Sequence, residues 1–223
     1  MPQQAPGEEI SILASEVVLQ AIPFFGGAIA AIFGKAAREQ YDSRLTKWFE
    51  DLGEAVSKLQ IKLENLAQDP ELVETVVAAT AAAGKTMHEE KLFALRNAVL
   101  NSVDPILRPD EDLRLRFIGI IEQMVPDHLR LMKYFSSPRR WYEERQLSIP
   151  SITTTRSLAI NGLGWENDDA ARPKRLMEDL VTWRLTGLVS ETMGTDGQID
   201  RDFVTEDGKA FMRYIDEPAS FEN

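Results

Sequence analysis

The chain has 223 residues, a formal net charge of −11 and no cysteine. The missing cysteines exclude disulfides, thiolate metal sites and cysteine nucleophiles, and the acidic balance argues against non-specific binding to nucleic acid, itself a polyanion. With 43% hydrophobic residues there is enough apolar material for one large domain or two small ones.

The N-terminus, Met1 to Glu9, has no basic region and closes in Glu8-Glu9. It does not read as a secretory signal, and residues 1–9 are expected to be a flexible lead into a cytoplasmic protein. Ile10, Leu13 and Val17 recur at helical spacing. Ala21 to Gly34 then runs fourteen residues without a charge, too short for the roughly twenty that a spanning helix needs. Two readings stand for it: a buried helix in which Gly27, Ala31 and Gly34 allow close contact, or a segment that meets lipid after rearrangement.

From about Lys35 to Ala67 there is no proline, and Leu45, Leu52, Leu59 and Leu66 recur every seven residues. Trp48, Phe49, Val56 and Leu63 widen the stripe. This predicts a long amphipathic helix whose leucines either pack inside the protein's own bundle or form the seam of a dimer. Asp69-Pro70 predicts a helix start with Asp69 as N-cap, and the alanine-rich run after it stops at Gly84. Thr86-Met87-His88-Glu89 has the spacing of a capping box for the next helix, which runs to Val103. Asp110 is expected to cap a helix with Phe117, Ile120 and Ile121 inward, ended by Pro126. Residues 10–125 thus read as an all-helical bundle.

After Pro126 the expected order is a helix over Asp127–Phe135, a polar loop over 139–150, and a short helix from Ile152 to Asn161 closed by Gly162 and Gly164. A helix opened by Pro173 follows, with Gly187 as its left-handed cap. Leu188–Met193 and the stretch around Ile199 and Phe203 read as a hairpin turned at Asp196-Gly197, the only β-structure expected. Thr205 caps a final helix anchored by Phe211 and Ile215, and residues 217–223 are expected to be a flexible tail. The fold class is therefore mainly α: an N-terminal bundle with one long helix, then residues 126–216 as a second domain with a small hairpin.

The stretch LVTWRLTGLVSETMGTDGQIDRDFVTEDGKAFMRYI, residues 180–215, resembles the end of a bacterial winged-helix domain. The whole layout resembles the alpha-helical abortive-infection type of bacterial protein, which closes with such a module. The resemblance implies a winged-helix-like C-terminal domain and a role in stress or phage defence; it is specific for fold more than for function.

Candidate chemistry is sparse. Gly84-Lys85-Thr86 echoes a phosphate-binding loop, but the glycine needed five residues earlier is Ala79. His88-Glu89-Glu90 lacks metal-ligand spacing, and Asp127-His128 reads as a cap beside a surface histidine. No catalytic, cofactor or metal site is expected. Arg172, Lys174, Arg175 and Arg184 lie on the helix that would read DNA in a winged helix, and Arg139 and Arg140 could extend a basic stripe in a dimer. Glu178, Asp179 and the acidic wing, Asp196, Asp200 and Asp202, oppose that use. Three functions are carried forward: a non-enzymatic module binding a protein partner or a second copy, a dimeric DNA-binding regulator, and a membrane-acting effector using residues 21–34.

Overall fold

In the computed structural model the described residues are 28–58, 68–103, 108–150, 152–166, 171–187, 194–195, 199–200 and 202–218, with only the backbone described for 28–40, 152 and 194–195. The expectations for residues 1–27, the 59–67 stretch with Leu59 and Leu66, the 188–193 strand and the last five residues lie outside them. Among the described residues there are nine helices and one two-residue ladder, so the protein is mainly helical. The chain divides into two compact units, Met1–Gln123 with Tyr214–Asn223, and Met124–Arg213.

In the first unit, helix α1 spans Ala28–Lys58, α2 Pro70–Ala83, α3 Glu89–Asn101 and α4 Glu111–Gln123. The 31 residues of α1 extend about 45 Å at the usual rise. Trp48, Leu52 and Val56 fall four apart with Phe49 beside them, and all four are buried within this single chain against α2 and α3. The Trp48 indole nitrogen donates to the Thr80 hydroxyl at 3.1 Å, which fixes the register of α1 on α2. The contact faces of α2 and α3 are small residues, Ala79, Ala82, Ala83, Ala94 and Ala98, which let the helices pack closely around Leu72, Leu95, Phe117 and Ile121.

Asp69 is the N-cap of α2 as expected, its carboxylate accepting from the Glu71 and Leu72 amides, with Pro70 in the first helical position. Asp110 likewise accepts from the Leu113 amide ahead of α4. The capping box at Thr86 is corrected. Helix α3 begins at Glu89, so His88 is the N-cap and makes no side-chain cap, while the buried Thr86 hydroxyl accepts the His88 amide at 3.2 Å. The hydroxyl stabilises the turn before the helix and not the helix end.

In the second unit, α5 spans Pro126–Ser136, α6 Pro138–Glu144, β1 Ile152–Thr153, α7 Thr155–Leu163, α8 Ala171–Thr182 and β2 Gly194–Thr195; α9 runs Glu206–Ile215, in this unit as far as Arg213. Residues 138–144 form a helix and not the expected loop, because Pro138 sits where a missing N–H costs nothing. The Trp141 indole donates to the Gly162 carbonyl and the Tyr142 hydroxyl to the Leu158 carbonyl, each at 2.7 Å. Gly162 is required by this packing: a Cβ there would stand 2.8 Å from the Tyr142 ring. Gly164 closes α7 in the left-handed conformation, as the sequence implies.

Three expectations for this unit fail. The β-structure is not confined to 188–204, since Ile152–Thr153 pairs antiparallel with Gly194–Thr195. The β-branched Ile152 and Thr153 favour an extended backbone, and Thr154 supplies the cap that starts α7 three residues later than expected. Residues 199–200 form a 3-10 turn in place of the expected return strand, and the only described bridge near the base is Thr186 with Val204. The left-handed residue after α8 is Arg184, at φ 58°, and not Gly187. It is held there because the Leu185 and Thr186 amides both turn back to the Leu180 carbonyl.

Candidate functional site

The basic residues proposed to touch phosphate are distributed around α8, and most face carboxylates of the same unit. Arg172 at the start of α8 is ion-paired with Asp127 at the start of α5, which also receives Arg130 at 3.1 Å. Lys174 lies 3.8 Å from Glu178 one turn on. Arg139 grips Asp200 with two nitrogens, at 2.5 and 2.6 Å, and holds the Asp200 carboxyl below the usual carboxylate range. Arg140 reaches Glu144 at 2.6 Å. Lys209 lies 2.9 Å from Asp202 and 3.0 Å from Glu206; it lowers Asp202, and the two carboxylates raise Lys209 in return. Arg175 and Arg184 are exposed, and no carboxylate among the described residues pairs with either.

These pairs are largely solvated, so each contributes little to stability. Their effect is on the surface potential: a cation already beside a carboxylate attracts a phosphate far less than a bare one.

Beneath this surface lies a group whose sequence context points elsewhere. His128 is buried, not superficial, at 3% exposure. Helix α5 starts one residue earlier than expected, at Pro126, so Val125 is the N-cap and His128 occupies the third helical position. Valine has no side-chain acceptor, and the imidazole supplies a cap from the other direction: His128 Nδ1 accepts the Val125 N–H at 3.0 Å. The other ring nitrogen lies 3.2 Å from Asp179 Oδ2 on α8. Trp183 meets the ring edge-on, centroids 4.9 Å apart. The signal for this lies in the sequence as the i, i+3 relation of Val125 to His128 behind a proline, the reciprocal half of a capping box with histidine in place of Glu or Gln. Nearby, Trp165 is buried with the Arg130 and Arg172 guanidinium groups over its ring at 5.9 and 5.5 Å.

The first unit carries its own ionic cluster. Arg114 is fully buried beneath the surface carboxylates of Glu71, at 3.0 Å, and Glu74, at 3.2 Å. Arg108 joins Asp69 and Glu71 and donates its Nε to the Ser102 carbonyl. These bonds tie α4 and the segment before it to the first turns of α2. Two arginines thus face three carboxylates; both terminal nitrogens of Arg114 are engaged, while its Nε is buried with no hydrogen-bond partner among the described residues, which makes this a costly structural cluster.

Of the proposed oligomer seam, Leu52 is 2% exposed in one chain and Leu45 half-buried. Lys85 pairs with Glu122 at 2.8 Å, and His88, Glu89 and Glu90 are exposed. Among the described residues no three His, Asp or Glu side chains converge as a metal site requires, and no helix is long and apolar enough to cross a membrane. Comparison with protein families, curated proteins and solved structures gives no match to this chain.

Proposed function

We propose that the protein is a non-enzymatic interaction module of the bacterial stress or phage-defence kind, whose second unit is a winged helix used to bind protein and not nucleic acid. The winged-helix reading is supported by the order helix, strand, helix, helix, strand, and by the pairing of the strand before α7 with the strand after α8. The defence assignment rests on the resemblance of the overall layout to abortive-infection proteins.

The observation that carries the protein-binding reading is the fate of the cations. On a DNA-reading surface, arginines are kept for phosphates and base edges. Here Arg172 and Arg139 are committed to Asp127 and Asp200, and Lys209 to two carboxylates. The chain's net charge of −11 compounds the penalty.

The test is titration of labelled random duplex at near-physiological salt. No binding tighter than about 10⁻⁴ M is expected. Micromolar binding, lost on Arg172→Ala with Arg175→Ala, would replace this reading with the dimeric regulator. That second reading draws on the exposure of Arg175 and Arg184, which have no carboxylate partner among the described residues.

A further inference from the structure

His128 has the geometry of a proton-sensitive clasp. The backbone N–H of Val125 can only donate, so the Nδ1 that accepts it at 3.0 Å carries no hydrogen. In a neutral imidazole the hydrogen is then on Nε2, and it points at Asp179 Oδ2, 3.2 Å away, which can only accept. The two bonds are consistent with a single tautomer. We infer that His128 is held as the neutral Nε2–H imidazole, joining the N-cap amide of α5 to Asp179 of α8, and that its protonation frees the start of α5.

Protonation places a second hydrogen on Nδ1, facing the Val125 N–H. Two donors then oppose each other, and the amide loses its acceptor. The Asp179 bond survives and becomes charge-assisted, so the change is local: the clasp opens at Val125 and stays closed at Asp179.

The surrounding charges favour this asymmetry. From α8, Asp179 touches the ring, Arg172 is paired with Asp127, and Lys174, Arg175 and Glu178 are exposed. On the histidine's own helix, Asp127 is shared between Arg130 and Arg172, and Lys133 is exposed. Helix α7 carries one charged residue, Arg156, and α6 packs beyond the far end of α5 with Arg139 and Arg140 bound to Asp200 and Glu144, and Glu143 exposed. Val125 is 42% exposed, so an amide released there has solvent and any bound partner within reach. The inference is independent of the function proposed above.

The test uses the full chain. Long-range nitrogen–proton correlations of the imidazole should show the Nε2–H tautomer at about pH 7.5, above the ordinary histidine value. As the ring protonates on acidification, read from its own nitrogen signals in the same samples, the Val125 amide, corrected for its intrinsic exchange rate, should exchange roughly tenfold faster. His128→Asn places a non-titrating acceptor where Nδ1 stands and should remove that dependence while keeping the amide protected. An Nδ1–H tautomer at the higher pH, or Val125 exchange that does not follow the ring, would overturn the inference from the wild-type protein alone, whether or not the variant folds.

Discussion

Asn97 and Ile215 stand 118 residues apart in sequence, yet the Asn97 side-chain amide donates to the Ile215 main-chain carbonyl at 2.9 Å. One turn along α3, Asn101 donates to the Tyr214 and Asp216 carbonyls, also at 2.9 Å. The last carbonyls of a helix have no intrahelical partner, and here buried asparagines supply the missing donors. The Tyr214 hydroxyl completes the clip on Ser102 Oγ at 2.8 Å. This is why residues from Tyr214 onward group with the first unit, although the sequence pattern assigns residues up to 216 to the second.

Replacing Asn97 with alanine removes the donor and leaves the Ile215 carbonyl buried. A loss of about 1–3 kcal/mol is expected, the usual cost of orphaning a buried polar group. Urea denaturation measures it as a fall in midpoint without a change in slope. An unchanged midpoint would show that the clip contributes nothing to stability.

Two glycine-to-alanine changes should act in opposite directions. A Cβ on Gly208 would lie 2.0 Å from the Leu185 carbonyl oxygen and 2.8 Å from Val204 Cγ1, so the backbone must move. Gly208→Ala should therefore cost about 1–3 kcal/mol. A Cβ on Gly119, inside α4, meets nothing within 4 Å. Gly119→Ala should raise stability by about 0.5–1 kcal/mol, by restricting the unfolded chain and favouring helix. Melting temperatures of the two variants on opposite sides of wild type would bear this out; both on the same side would not.

The helical character is legible in the sequence because it rests on local signals. Asp69-Pro70, Asp110, Thr205 and Gly164 each act within one turn of the residue itself, and each does what its spacing implies. The departures have a common physical source. Whether His128 is buried depends on Asp179, 51 residues away, and the Asn97 clip joins residues 118 apart. The local pattern marks the Val125–His128 cap, three residues apart, but neither the burial of that histidine nor the Asn97 clip. The small ladder escapes a periodicity argument because two residues of β-branched sequence, Ile152-Thr153, are too short to register as a period. Charge counting along α8 reveals the acids but not their partners: Arg172 pairs with Asp127 on another helix, and not with a neighbour on its own.

Leu52 gives a direct measure of what the leucine stripe of α1 does. Its side chain is 2% exposed in the isolated chain, packed in the same stripe as Trp48 and Val56. Leu52→Asp puts a carboxylate into that apolar contact and should destabilise the fold by about 3–5 kcal/mol. If the burial is intramolecular, the loss is independent of protein concentration. A dimer seam would instead make the melting temperature rise with concentration and the variant dissociate. Thermal unfolding over a hundredfold range of concentration, with solution mass measured alongside, separates the two.

Asp69 links the start of α2 to pH. One carboxylate oxygen accepts the Glu71 and Leu72 amides and the other meets Arg108. The Arg108 bond is the largest influence holding the Asp69 carboxyl below its ordinary value; burial opposes it, and the Leu72 and Glu71 amides add smaller lowering effects. A carboxyl lowered in the folded state stabilises the fold above its unfolded value, near about pH 4, and that contribution is lost as pH falls through the folded value. An asparagine in its place would cap the helix as well as aspartate does but would carry no charge for Arg108. Asp69→Asn should therefore be less stable than wild type at about pH 7, and the gap should close as the pH is taken below about 4, where wild type loses the same charge. Thermal unfolding of both proteins at several acid pH values reads this directly. A gap that stayed constant down to about pH 2 would mean that the cost of the variant comes from the cap geometry and not from the ion pair with Arg108.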